Sequence, residues 1–286
     1  MESQCIQASQ LQSRDVRRAA TGFLELDWLF GVSHIYGKHI WGMPEGGISL
    51  MSGEGGVGKS RLAIEMAKRQ IAGGLKVLYT QIEIDLRSFG RWVKNAPNSH
   101  LLYCSNAKSL DEQIATIKRV APHLVLIDSV NEIEDFRNGT AKDIREVINR
   151  FRQEITLRMP LHLIFLAQLN KDGTTKGSTT LSHLVDTTFE VKRLGGPCFV
   201  LKVGHKHRFG RTGAKFWSEW VHTDSGVECQ SSHREEDERW CTTHGIPDIP
   251  QKGSETRGMR LQKLAKTINF LTSGGSKPSV EIVPEI

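Results

Sequence analysis

The sequence predicts an α/β protein, a mostly parallel, doubly wound sheet with a C-terminal antiparallel hairpin extension, on three observations. Short apolar runs alternate with amphipathic stretches, the pattern of strands joined by crossover helices. A glycine-rich loop separates one such run from one such stretch. A second apolar run ends in an acid, Asp128.

Taken in order, residues 48–52, 76–82, 100–104, 123–128 and 161–168 read as strands, with helices between them. Two helices carry start signals. Ser109 and Glu112 form a capping-box pattern ahead of Ile114, Ile117 and Val120, and Thr140 is placed to cap the stretch bearing Ile144, Val147, Ile148 and Phe151. Residues 187–193 and 198–205 flank the turn Leu194-Gly195-Gly196-Pro197, which predicts the hairpin. Residues 1–20 read as a polar arm, 21–228 as the globular core and 229–286 as a polar extension, partly flexible, with one helix at 259–271.

A chain of 286 residues can bury one full α/β core. No stretch approaches the roughly 18 consecutive apolar residues that a membrane span needs. The N-terminus lacks the charged and apolar regions of a secretory signal. The five cysteines, at 5, 104, 198, 229 and 241, are scattered and odd in number, which argues for reduced thiols. A cytoplasmic protein is expected. Cys104 and Cys198 lie in apolar runs and read as core residues. Cys229, His233, Cys241 and His244 are a conceivable zinc set, although their spacing does not match the usual paired-ligand knuckle. The net charge of +6 is uneven: residues 171–215 hold nine Lys/Arg against three Asp/Glu, which points to a local polyanion contact or to a solvated face.

The strongest motif is Gly53-Glu54-Gly55-Gly56-Val57-Gly58-Lys59-Ser60, a G-x-x-x-x-G-K-S phosphate loop. Its glycines let consecutive backbone N–H groups curl around phosphate oxygens, and the helix starting near Lys59 aims its positive end at the same anion. Lys59 would reach the β- and γ-phosphates of ATP and Ser60 would ligate Mg²⁺; the neighbouring Arg61 joins the binding segment. Asp128, emerging where α/β sheets bind ligands, would hold Mg²⁺ through water, although an acid can also merely end a strand. Glu83 closes the strand between the two motifs and is the candidate for polarising the attacking water, with Asp85 its nearest competitor. Gln168, ending another strand, could hydrogen-bond the γ-phosphate or simply face solvent.

These residues resemble the RadA/Sms branch of the RecA-like P-loop ATPases. The likeness runs from Thr21-Gly22 and Glu25-Leu26-Asp27 through the glycine loop, Val77-Leu78-Tyr79 to Glu83, and Leu126-Ile127-Asp128-Ser129. It continues in Lys171-Asp172-Gly173 and in the segment from Leu181 to Thr187, and is most specific at Lys206-His207-Arg208-Phe209-Gly210, similar to a Lys-Asn-Arg-Phe-Gly signature. The resemblance implies a RecA-like fold and a homo-oligomer, either a ring such as a hexamer or a filament, in which Lys206 and Arg208 reach a neighbour's nucleotide. It also implies a DNA-dependent ATPase of recombination or repair. Departures are His207 in place of Asn, Arg61 where Thr is commoner, Cys5 without a four-cysteine ribbon, and a tail shorter and more polar than a protease-like domain.

Single-stranded DNA would meet the hydroxyl-rich loop 171–180, through Lys171, Lys176 and Thr179. That loop lacks aromatics for stacking, so backbone contact is expected. The loop 131–139 carries Glu132, Glu134 and Asp135 against Arg137 alone. The alternative reading is a KaiC-like regulatory ATPase that acts on a protein partner; a small-molecule phosphotransferase is a third class, with no acceptor pocket recognisable.

Overall fold

The computed structural model describes residues 16–35, 38–136, 140–169, 179–208, 215–223 and 226–235. The chain divides into two compact units, Met1–Asp237 and Glu238–Ile286, and the described residues all belong to the first.

The parallel part of the sheet comprises β5 (Ile48–Gly53), β6 (Val77–Gln81), β7 (Leu102–Ser105), β8 (Leu124–Asp128), β9 (His162–Gln168) and β10 (Thr187–Gly195). An antiparallel part follows, in β11 (Cys198–His207), β12 (Lys215–Thr223) and β13 (Gly226–Glu235). Together they form one nine-stranded sheet in the order β13-β12-β11-β10-β5-β9-β8-β6-β7. The strand that feeds the glycine loop, β5, is thus separated from the acid-bearing β8 by β9, so the tips of all three face the same carboxyl edge. Upstream, β1 (Arg18–Ala19) pairs with β4 (Met43–Pro44), and β2 (Val32–Ile35) pairs with β3 (Lys38–Trp41). Helix α1 (Leu24–Phe30) lies between β1 and β2.

The crossovers are helical as the patterning requires. Helix α2 (Lys59–Ala72) buries Leu62, Met66, Ala67 and Ile71. Helix α3 (Leu86–Val93) follows β6, and α4 (Leu110–Val120) carries the complete Ser109/Glu112 capping box. Asp135 also accepts the Leu110 N–H at 2.8 Å, so one acid of the 131–139 loop anchors that helix. Helix α5 (Ala141–Phe151) is capped by Thr140, whose hydroxyl accepts the Asp143 N–H, and runs on into a π turn at Arg152–Thr156. Helices α4 and α5 press Ile114, Ile117, Ile144, Ile148 and Phe151 onto Leu50, Leu78, Val125 and Phe165 in one hydrophobic core. Helix α6 (Thr179–Leu184) leads into β10.

Three expectations are adjusted. The antiparallel extension has two strands beyond the hairpin, because Ser218, Trp220, Val221 and Val227 are buried within an otherwise polar segment; the boundary placed at Glu228 falls inside β13. Arg18 and Ala19, placed in the arm, are paired, and Arg18 donates to the Phe30 and Gly42 carbonyls at 2.9 Å each. Cys104 is exposed on the edge strand β7, whereas Cys198 is buried as expected.

Candidate nucleotide site

The loop between β5 and α2 is shaped by left-handed glycines, with φ of 69° at Gly56 and 113° at Gly58, values that L side chains rarely adopt. Gly58 is the last residue before α2, so the helix N-terminus opens directly onto the loop. The Lys59 ammonium folds back and donates to the Gly53 and Glu54 carbonyls, each at 2.8 Å. Burial lowers its pKa, opposed by the charges of Asp128, Glu83 and Glu54. The ammonium therefore lies in the loop's concavity, near Asp128 at the tip of β8 and Glu83 just past β6.

Asp128 is 3% exposed at the tip of β8. Its carboxylate accepts the Ser60 hydroxyl, the Tyr79 hydroxyl at 2.8 Å and the Gln81 amide at 3.4 Å. Burial pushes its pKa up while the bonds from Ser60 and Tyr79 pull it down. A serine hydroxyl beside a carboxylate is an oxygen donor set, suited to a hard cation such as Mg²⁺ that keeps waters and takes phosphate oxygens. Among the described residues no three His, Cys, Asp or Glu side chains are grouped as a metal site.

Glu83 is exposed two residues past the end of β6, not on the strand itself. The ladder stops at Gln81↔Asp128, after which the Ile82 N–H donates to the Asp128 carbonyl. The Gln81 amide oxygen then accepts the N–H groups of Glu83 at 2.9 Å and Ile84 at 3.3 Å, turning the chain outwards. Gln81 thus fixes Glu83 relative to Asp128. Asp85, the competitor, is occupied as the cap of α3: it accepts the N–H groups of Arg87 and Ser88. The Ser88 bonds hold its carboxyl below the usual range.

Gln168 sits at the tip of β9 with its amide nitrogen against Gly55, where a Cβ would come within 2.6 Å of it. Its own N–H donates to the Asn131 side chain. Arg193 donates to the Gly56 carbonyl at 2.7 Å, and His222 lies against Gly58. Arg61 is exposed and close enough to His222 to lower its pKa, after burial, the larger cause.

Lys206 and Arg208 lie elsewhere. Arg208 follows β11 and pairs with Asp186 at 3.0 Å, while Lys206 donates to the His183 carbonyl. Asp186 also accepts the Ile48 N–H, at the start of β5, so these cations stand at the amino edge of the parallel strands. Five residues of β5 separate that edge from Gly53, roughly 17 Å at strand rise. His207 is buried between them, bonded to the Thr187 hydroxyl and the Leu29 carbonyl, and burial pushes its pKa down to about 4. Lys171 and Lys176 lie outside the described residues, as do Cys241, His244 and the segment 259–271; Thr179 is the first residue of α6. Cys229 and His233 both stand on β13.

Sequence reasoning missed Tyr79, Gln81, Arg193, Asp186 and His222 as parts of these arrangements. The one available signal was in β6, where the polar run Tyr79-Thr80-Gln81 interrupts an apolar strand; all three are buried. The others reach their partners across strands distant in sequence.

Comparison with known proteins places the chain. No family model matches it. It is 30% identical over 230 residues to the DNA repair protein RadA of Aquifex aeolicus, covering 76% of this chain and 47% of that protein. The RadA of Mycolicibacterium smegmatis is 27% identical over 223 residues, 75% of this chain and 46% of that protein. The RadA of Mycobacterium tuberculosis is 28% identical over 217 residues, 73% and 43% respectively. The chain therefore spans less than half the length of these relatives. A nine-stranded, mostly parallel sheet with its glycine loop and Asp128 at one edge, and this similarity across about three quarters of the chain, show a RadA-like family relationship over the core and a RecA-like fold.

Proposed function

We propose that the chain is an ATPase of the RadA kind that works on single-stranded DNA in recombination or repair. The observation that carries the nucleotide reading is the meeting of Lys59, Ser60 and Asp128 at one sheet edge, brought from α2 and β8 onto the mouth of a glycine loop. A triphosphate tail would lie along the loop's N–H groups, with the Lys59 ammonium on the β- and γ-phosphates. Mg²⁺, held by Ser60 and through water by Asp128, would neutralise charge on the phosphate oxygens. Glu83, projecting beside Asp128, would orient a water and take its proton as the water oxygen bonds to the γ-phosphorus; the bond to the β–γ bridging oxygen breaks and ADP leaves. Gln168, packed on Gly55, would sense the γ-phosphate and pass its loss to the segment that follows it.

Charge stabilisation at the γ-phosphate would come from a second copy of the chain. Lys206 and Arg208 stand at the far edge from their own loop, so a head-to-tail neighbour is the nucleotide they suit. Hydrolysis would then depend on a ring or filament. DNA would engage the basic segment 171–180, whose exit helix α6 carries the His183 carbonyl that accepts from Lys206.

ATP turnover by the full chain, with and without single-stranded oligonucleotide at low and high salt, tests the reading. Stimulation that weakens with salt supports it. Turnover indifferent to DNA yet dependent on an added protein would replace it with the regulatory alternative.

A further inference from the structure

Three strands touch the glycine loop from outside, one residue after another: Gln168 of β9 at Gly55, Arg193 of β10 at Gly56 and His222 of β12 at Val57 and Gly58. The Arg193 guanidinium donates to the Gly56 carbonyl at 2.7 Å. The His222 ring sits with Nε2 where a Gly58 Cβ would be, and hydrogen-bonds the Val57 backbone. That bond favours the protonated ring, so the ring is its donor and the Val57 carbonyl its acceptor. The other ring nitrogen, Nδ1, is buried without a partner, which leaves Nε2 as the nitrogen that carries the proton.

A trans peptide is planar, with its C=O and the following N–H pointing in opposite directions. Drawing the Gly56 carbonyl outwards therefore turns the Val57 N–H inwards, and drawing the Val57 carbonyl outwards does the same for the Gly58 N–H. On the far side of the first of these peptides, the Val57 N–H donates to the Glu54 carbonyl at 3.4 Å. The His222 ring is itself held, packed on Phe199 with ring centroids 4.9 Å apart, while the residue's backbone N–H donates to the Pro197 carbonyl.

We infer that Arg193 and His222 are positioning residues for nucleotide: by holding the Gly56 and Val57 carbonyls from the antiparallel extension, they aim the loop's N–H groups at a polyphosphate. The inference rests on the reading of the loop as a triphosphate site. It gives β10 and β12 a task beside the loop, since glycines alone leave those peptide planes free to rotate. His222 carries this more sharply than Arg193. Burial and the nearby Arg61 and Arg193 charges lower the imidazole's pKa against the opposing Val57 bond, and its contribution is a directed bond to a carbonyl.

The test is ADP affinity of the full chain in magnesium buffer, by calorimetry, for wild type, Arg193→Ala, His222→Leu and His222→Gln. Both truncations should weaken ADP about tenfold or more with the thermal midpoint without nucleotide within a few degrees of wild type. The effect of His222→Leu should be insensitive to salt, and His222→Gln, which restores a donor at similar reach, should recover most of the loss. Affinities within twofold of wild type in both truncations would overturn the positioning role while leaving the site itself intact. A wild-type chain that binds no ADP would remove the triphosphate reading and this inference together.

Discussion

Arg208 is paired with Asp186 at 3.0 Å, and the same buried carboxylate accepts the Ile48 N–H at 3.0 Å, which fixes this arginine at the end of β5 opposite the glycine loop. Arg152, from the π turn after α5, completes the cluster at 3.2 Å. A cation tied to that edge cannot serve its own loop across the length of a strand.

Arg208→Ala should consequently leave ATP affinity near wild type and reduce turnover by about 10³-fold, in the range of a missing arginine supplied in trans. Mixing Arg208→Ala with Glu83→Gln protomers should restore part of the rate, because some interfaces would then combine an intact Glu83 with an intact Arg208. Rates that never exceed either variant alone would show that no site is shared.

Lys59→Ala removes the ammonium that bridges the Gly53 and Glu54 carbonyls and faces Asp128. Loss of measurable ATP turnover, with an unfolding midpoint close to wild type, is the expected outcome of a turnover assay paired with thermal denaturation.

Tyr79→Phe deletes a buried bond of 2.8 Å to Asp128 without changing the strand's packing volume much. The Asp128 carboxyl then loses one of the two bonds that hold its pKa down, and its alignment loosens. Magnesium titration of turnover should show a requirement raised roughly tenfold, the scale typical of lost outer partners at metal sites. An unchanged magnesium dependence would mean that Tyr79 only fills space.

Acid should destabilise the fold before its carboxylates titrate in bulk. His162, bonded to Ser49 and Pro44, and His207 are both buried and held to about 4, against an ordinary 6.5. Between those values the unfolded chain binds protons at both positions and the folded chain does not, so stability falls as the pH drops from 6.5 towards 4. Asp27 acts the other way: burial raises it to about 6, and its protonation favours the folded form below that pH. Two histidines outweigh one aspartate, leaving a net loss on the order of a few kcal/mol across the window. Urea midpoints at pH 7.5, 6 and 5 should decline in that order, and less steeply in His207→Gln; a flat profile would contradict the buried neutral assignment.

The sequence by itself determined the sheet's parallel half and the nucleotide motif, since both are written locally: apolar runs of strand length, helix caps such as Ser109 with Glu112, and glycines whose backbone freedom the loop needs. Even Asp128 could be placed, because an apolar run ending in an acid puts that acid at a strand tip. Tertiary structure alone decided which carbonyls of the loop are held and by what. Arg193 and His222 follow Gly56 by more than a hundred residues and meet it only through sheet order. The same holds for Asp186 with Ile48 and for Tyr79 with Asp128. Burial of apolar faces is set by spacing along the chain, whereas a directed polar bond needs two groups within about 3 Å, and that distance exists only once the strands are stacked in their order.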